Sequence, residues 1–257
     1  MAPEGARLRH VEESMGTVFS FDIRGVRDRP RVGAGLQAAV ASLHRADEIF
    51  STYRPDSQIS RLNRGELTLA GCLTEVVEVL DLCAEAERES DGWFTTGYAG
   101  GVDPTGLVKG WAVERAARMI ASSGAASVCL NGGGDIQLVG GPWRVGIADP
   151  LRPGELATVV EAHQGLGVAT SGPAERGCHV LDPHTGEAPA GGLASVTVVC
   201  QEGVTAADTR ATAAYAMGDR ARKWLESLPG TEGFAVTPYG DTWATSGFHR
   251  HVATVGV

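Results

Sequence analysis

The residues best suited to chemistry lie between positions 103 and 111, where Asp103, Gly106 and Lys109 stand just before a predicted helix. A lysine and free backbone amides at a helix N-terminus can receive a phosphate, and glycine lets the backbone approach a ligand closely. The segment lacks the glycine spacing of a P-loop and the Ser or Thr that follows the P-loop lysine. Taken alone, it fits a phosphate-binding loop and an ordinary capped loop equally well.

Two oxygen-bearing side chains, Asp208 and Thr212, stand four residues apart on another predicted helix. Residues at this spacing share one face of a helix, so the carboxylate and the hydroxyl could both be ligands of Mg²⁺. Taken alone, the pair is more typical of an aspartate that stabilises a helix N-terminus beside a neutral residue.

A histidine and a glycine run complete the set of candidates. Histidine side chains titrate near neutral pH, so His179 could accept a proton, although a single histidine in a strand is more typically structural. Residues 131–135 contain three consecutive glycines between two predicted strands. Such a run can bring the backbone close to a ligand, but by itself it favours a tight turn.

The hydrophobic pattern predicts a mixture of helices and strands that must position these residues. Helices are predicted over residues 36–50, 74–89, 111–120 and 205–217, with a short one through Trp224 and Leu225. Strands are predicted over residues 17–23, 127–130, 136–139, 143–148, 157–162 and 195–200. The pattern therefore predicts helices combined with a mainly antiparallel sheet in the C-terminal half.

Composition narrows the class of protein. The chain has 257 residues, 43% hydrophobic and 21% charged, which suits one large domain or two closely joined ones. Its formal net charge of −9 disfavours general binding to nucleic acid or to anionic membrane surfaces. An anionic ligand would therefore need a local cation or backbone amides.

Cysteine spacing and hydropathy predict the compartment. The five cysteines are widely spaced and form no Cys-x-x-Cys pair, which indicates neither a disulfide framework nor a zinc site. Residues 1–10 lack the apolar region of a signal peptide, and no apolar run approaches the roughly 20 residues that span a bilayer. We expect a cytoplasmic protein without a membrane span.

The order of these segments resembles the ApbE-type FAD:protein FMN transferases over most of the chain. Eight segments match the family's landmarks in order, namely residues 15–17, 50–53, 57–63, 103–110, 131–135, 169–172, 179–186 and 207–213. The chain departs from the family at Pro104 and Thr105, where Leu-Gly is commoner, and residues 93–101 form a shorter stretch than usual. The resemblance implies one domain over residues 1–257, with a T-fold-like α+β architecture in which helices flank a mainly antiparallel sheet.

The resemblance also implies a site for FAD. In it, Met15, Tyr53, Asp103 and Lys109 line a cleft that holds FAD, and the backbone of Val180 contacts the flavin end.

A magnesium ion is implied as well. It bridges the pyrophosphate and is held by the backbone carbonyl of Gly106 and the side chains of Asp208 and Thr212. His179 is our first candidate for accepting the proton of the attacking hydroxyl, and Asp103 is the second.

The implied reaction is attack by a Thr or Ser hydroxyl of an acceptor flavoprotein on the FMN-side phosphorus of FAD, with release of AMP. Water as the acceptor would make the protein an FAD pyrophosphatase that yields FMN and AMP, and a third alternative is a non-catalytic FAD-binding protein. We rank the transferase first, because a complete metal set beside a pyrophosphate site exceeds what binding alone requires. Many relatives are exported lipoproteins, whereas this chain shows no export signal, so we expect its acceptor in the cytoplasm.

Overall fold

The structure is a computed structural model that describes residues 6–98, 101–173, 182–187, 189 and 192–253. Its strands are β1 (Ala6–Ser14), β2 (Thr17–Val26), β3 (Gly97–Tyr98), β4 (Gly101–Val102), β5 (Ser127–Gly132), β6 (Asp135–Val139), β7 (Trp143–Ala148), β8 (Leu156–Ala162), β9 (Leu166–Ser171), β10 (Ser195–Cys200), β11 (Thr231–Val236) and β12 (Thr242–Ala244). Its helices are α1 (Arg29–Phe50), α2 (Gln58–Asn63), α3 (Thr74–Glu89), α4 (Thr105–Ser122), α5 (Val204–Met217) and α6 (Ala221–Glu226).

Eight of the strands form one antiparallel sheet, in the order β1-β2-β5-β6-β9-β10-β11-β12. Its two faces are covered differently, because successive side chains of a strand point to opposite faces. In β10, Val198 belongs to the core shared with the helices, whereas Val199 packs with the β7–β8 hairpin. The α+β prediction, with helices flanking a mainly antiparallel sheet, is confirmed.

The predicted elements are present, with one boundary that matters for the site. The helix predicted from residue 111 begins at Thr105, so Lys109 lies inside α4 rather than before it. Proline is tolerated at a helix start, and Pro104 occupies the N-cap of α4. No helix in the described part of the chain is both long and apolar enough to cross a bilayer.

The sequence pattern did not predict β1, β9 and β11, nor the short strands β3, β4 and β12. β9 and β11 contain Gly167 and Gly233, and glycine has a low strand propensity. Both glycines nevertheless lie inside the sheet. Glycine is needed at these positions, because neighbouring groups approach too closely to leave room for a side chain. Tertiary packing, rather than local propensity, therefore selects the strand conformation here.

The N-terminus of α5 rests directly on β9. A Cβ atom added to Gly167 would overlap the backbone of Gly203 and Val204, at the point where α5 begins. The side chain of Gln137 in β6 also reaches this point, where its Oε1 accepts a hydrogen bond of 2.8 Å from the N–H of Val204.

A second side chain caps α5 from α4. Glu114 is buried, and its Oε2 accepts hydrogen bonds of 2.9 and 2.6 Å from the N–H and hydroxyl of Thr205. The first N–H groups of a helix have no partner inside the helix, so such acceptors stabilise its N-terminus. These contacts fix the position of α5 relative to both the sheet and α4.

We expect Gly167→Ala to lower the free energy of unfolding by about 3 kcal/mol, near the upper end for overpacking of a core. The added methyl group would meet backbone atoms, which cannot move without displacing α5 from the sheet. Urea denaturation followed by circular dichroism measures the change.

The matched control is Gly33→Ala in α1, where a Cβ atom would meet nothing within 4 Å. Alanine is the better helix former, so this variant should gain about 0.5–1 kcal/mol. Equal unfolding free energies for the two variants would contradict the role of Gly167.

Candidate active site

A surface cleft of about 240 Å³ opens beside the first turns of α4. Met15, Tyr53, Asp103 and Lys109 all line this cleft. They come from the β1–β2 turn, the loop after α1, the residue after β4 and the second turn of α4. The fold thus brings together four of the residues named from the sequence.

Met15 reaches the cleft from a two-residue turn. Met15 and Gly16 have φ angles of 49° and 66°, as in the type I′ turns that join antiparallel strands. A methionine with positive φ is uncommon, and this conformation costs about 1–2 kcal/mol. Residues held under such strain cluster at ligand sites, so the turn favours a functional role for Met15.

Tyr53 is held at the cleft on a fixed loop, although its side chain is 96% exposed. The buried Ser57 hydroxyl donates a 2.6 Å hydrogen bond to the carbonyl of Ser51. The Ser57 Oγ also accepts a hydrogen bond of 3.0 Å from the N–H of Ser60 and so caps α2. An exposed aromatic ring on a fixed loop is suited to stacking on a flat ligand.

Asp103 is held in place on both sides. The side-chain amide of Asn63 binds the backbone of the preceding residue, Val102, donating to its carbonyl at 2.9 Å and accepting from its N–H at 2.8 Å. Asp103 Oδ1 in turn accepts a 2.9 Å hydrogen bond from the N–H of Thr105 at the start of α4. Two residues of the 57–63 landmark, Ser57 and Asn63, therefore support the loops that carry Tyr53 and Asp103.

Lys109 pairs with a carboxylate that was not among the residues predicted to do chemistry. Its Nζ lies 2.8 Å from Oδ2 of Asp135, whose side chain is 1% exposed. Burial, together with the neighbouring carboxylate of Asp208, raises the pKa of Asp135 well above its usual range, and the Lys109 ammonium opposes that rise. Lysine and two aspartates therefore form one electrostatic group.

Asp208 lies where α5 touches α4. Its Oδ2 accepts a 3.2 Å hydrogen bond from the N–H of Gly110, and its side chain is buried. In an α-helix the same N–H points to the carbonyl four residues earlier, which is that of Gly106. The carboxylate and this carbonyl therefore lie side by side, and Thr212 follows one turn later on α5.

The glycine run forms a tight hairpin turn, as predicted. Gly133 and Gly134 have φ angles of 55° and 91° and connect β5 to β6. A Cβ atom on Gly133 would lie 2.6 Å from the Thr17 hydroxyl oxygen, so the turn can pack on β2 only without that side chain. The turn brings Asp135, the first residue of β6, next to α4.

The sequence contains one signal for Asp135. An acid at the start of a mainly apolar strand is buried only when it is paired. Its partner, Lys109, lies on a different element, α4, so the sequence pattern alone could not predict that the two residues pair.

His179 and Val180 lie outside the described residues, so their roles stay predictions. The described part of the same segment, residues 182–187, contacts the loop after α3 through His184. The ring of His184 packs edge-on against Trp93 with a centroid distance of 4.6 Å.

The sequence is similar to known proteins of one family. The model of the ApbE family matches residues 15–103 and 95–235. A curated FAD:protein FMN transferase of Escherichia coli K12 is 28% identical over 157 residues, which cover 56% of this chain and 44% of that protein. One of Haemophilus influenzae is 32% identical over 134 residues, covering 46% and 38%. The chain thus spans less than half the length of these two relatives.

Solved structures of ApbE proteins have the same fold as this chain. The ApbE protein of Thermotoga maritima superimposes with a TM-score of 0.85 at 21% identity, covering 96% of this chain and all of that one. The flavin transferase ApbE of Vibrio cholerae gives 0.79 at 21% identity, covering 96% and 99%. The family model accounts for most of the sequence, and this chain belongs to the ApbE family.

Proposed function

We propose that this protein is a Mg²⁺-dependent FAD:protein FMN transferase, which moves FMN from FAD to a Thr or Ser hydroxyl of an acceptor flavoprotein. The observation that carries the proposal is the adjacency of two groups on α4. Lys109 lines the cleft, and one residue later Gly110 contacts the carboxylate of Asp208. A cation that can bind phosphate therefore lies next to oxygen atoms that can bind a metal. The names of the curated relatives point to the same activity.

FAD would be bound partly inside the cleft. A volume of about 240 Å³ is smaller than the pockets that enclose drug-sized ligands, so a dinucleotide must extend beyond it. We infer that one flat ring system stacks on Tyr53, beside Met15, and that the pyrophosphate lies toward Lys109. The protein has a net charge of −9, so this ammonium is needed to offset repulsion of the anionic ligand.

The residues near Gly106 fit the magnesium ion that the family implies. The Asp208 carboxylate, the Thr212 hydroxyl and the Gly106 carbonyl are all oxygen donors, which Mg²⁺ prefers. Among the described residues, no three His, Cys, Asp or Glu side chains are grouped to hold a metal ion. The remaining ligands would therefore be water and phosphate oxygens. When bound, Mg²⁺ would neutralise charge on the pyrophosphate.

The chain's own residues would then position the reactants and move one proton. The acceptor hydroxyl attacks the FMN-side phosphorus, the bond from this phosphorus to the oxygen bridging to AMP breaks, and AMP departs. Lys109 stabilises the charge that develops on the phosphates. His179 is proposed to accept the hydroxyl proton before Asp103, because Asp103 Oδ1 is already engaged at the start of α4.

Two further expectations belong to this proposal. We propose that residues 1–257 form one domain, because β1 and β12 belong to the same sheet and the family model runs through most of the chain. The cytoplasmic location of the protein and its acceptor stays a prediction, which fractionation of the producing cells would test.

Transfer is tested directly by incubating the protein with FAD, Mg²⁺ and a protein offering an accessible threonine. AMP should appear, and the acceptor should gain the mass of one FMN unit, both abolished by EDTA. Chromatography and mass spectrometry give the two readouts. AMP and free FMN with an unchanged acceptor would instead identify a pyrophosphatase. Bound FAD without AMP, across several acceptors, would identify a binding protein.

We expect Asp208→Ala to reduce Mg²⁺-dependent AMP release by about 100-fold or more. A bound metal supplies several kcal/mol of charge stabilisation, and each 1.36 kcal/mol is a factor of ten in rate. The matched control is Asp149→Ala, which removes a buried aspartate in the turn between β7 and β8. The control should keep its AMP release, and full activity in Asp208→Ala would refute the metal assignment.

Lys109→Ala should raise the dissociation constant of FAD by about 10–100-fold, because hydrogen bonds to charged groups contribute about 1.5–3 kcal/mol. Titration followed by flavin fluorescence, in EDTA, isolates binding from turnover. Lys223→Ala on the exposed face of α6 is the control and should bind FAD unchanged. An unaltered dissociation constant in Lys109→Ala would rule out its contact with phosphate.

A further inference from the structure

Asp135 lies beside the cleft but does not line it. Its carboxylate contacts Lys109, which does line the cleft, so any effect on a ligand there must pass through the lysine. We propose that Asp135 is a positioning residue that orients the Lys109 ammonium toward the pyrophosphate of FAD. The inference rests on the proposed function, in which Lys109 binds that pyrophosphate.

A lysine needs such support to bind a ligand well. Its side chain has four rotatable bonds, and fixing them costs up to about 2 kcal/mol. The Lys109 side chain is 18% exposed, and its Nζ is held 2.8 Å from Asp135 Oδ2. Ordering the ammonium before the ligand arrives removes part of this cost from binding.

Asp135 can act as a support because its own position is fixed. It is the first residue of β6 and follows the glycine turn, which packs on β2 without side chains. Two residues later on the same face of the strand, Gln137 binds the N-terminus of α5. β6 therefore presents two buried polar side chains to the helices, Gln137 to α5 and Asp135 to Lys109 on α4.

Asp135 also connects Lys109 to the proposed metal ligand. The neighbouring Asp208 carboxylate, which itself accepts from Gly110, interacts electrostatically with that of Asp135. Displacement of Asp135 would therefore affect both the Lys109 ammonium and the Asp208 carboxylate, the two groups proposed to flank the pyrophosphate. If the pair were purely structural, the effect of Asp135 on the dissociation constant of FAD would not depend on Lys109. This dependence can be measured.

The test compares two substitutions of Asp135 in two backgrounds. Asp135→Asn keeps an oxygen that can accept a hydrogen bond from Nζ, whereas Asp135→Ala removes it. Both remove the ionisable carboxyl group, so the difference between them isolates the orienting acceptor. With Lys109 present and in EDTA, the dissociation constant of FAD should be about tenfold higher for Asp135→Ala than for Asp135→Asn, as expected for loss of a preordered lysine.

The lysine-free background decides between positioning and structure. In Lys109→Ala, the two Asp135 variants should bind FAD within about twofold of each other, because no ammonium remains to be oriented. A tenfold difference that persists there would show a structural effect and overturn the proposal. Equal binding of the two variants with Lys109 present would also overturn it.

Controls separate this inference from the proposed function. Asp149→Asn and Asp149→Ala alter another buried aspartate, which pairs with Arg152 at 2.7 Å, and they should bind FAD alike. Melting temperatures of all variants show whether each one is folded. If Lys109→Ala itself binds FAD like the unmodified protein, the phosphate role of Lys109 fails. If Lys109→Ala weakens FAD binding but Asp135→Ala and Asp135→Asn bind FAD equally well, only the positioning role of Asp135 fails.

Discussion

The close contact between α4 and α5 is the constraint on which the candidate site depends. Gly110 has no side chain, and an added Cβ atom would lie 3.0 Å from both the Asp208 Cβ and a carbonyl oxygen of α5. The absence of this atom lets the Asp208 carboxylate reach the N–H of Gly110. Gly167 plays the corresponding part beneath α5, and Glu114 of α4 caps the same helix. The two helices are therefore fixed to each other and to the sheet before any ligand binds.

This arrangement concentrates opposite charges in a small volume. Lys109 lies between the cleft and the buried Asp135, and the carboxylate of Asp208 is a neighbour of the Asp135 carboxylate. A buried ion pair adds little net stability, because removing both charges from water costs about as much as their attraction returns. The role that we propose for this pair is therefore orientation of the ammonium rather than stability. On a protein with a net charge of −9, one well-oriented cation has a large effect on an anionic ligand.

The sequence predicted most of the fold, because long apolar periodicities survive tertiary packing. The helices α1, α3 and α5 were predicted on this basis. β9 and β11 were missed, since glycine at positions 167 and 233 weakens the strand signal and is explained only by contacts from distant residues. The candidate site divides in the same way. Lys109 was found from its motif, whereas Asp135 depends on a contact between β6 and α4 that no local pattern encodes.

Family landmarks mix residues that face the cleft with residues that hold others in place. Tyr53 lines the cleft, but Ser57 and Asn63 of the next landmark bind only backbone groups in the described structure. Asn63 acts on Val102, immediately before Asp103, so its loss would displace a cleft residue without removing any group that faces the cleft. A matching motif therefore identifies what a site requires, and the contacts decide whether each residue binds or supports. By this criterion Asp135 belongs with the supports, and its effect on FAD must pass through Lys109.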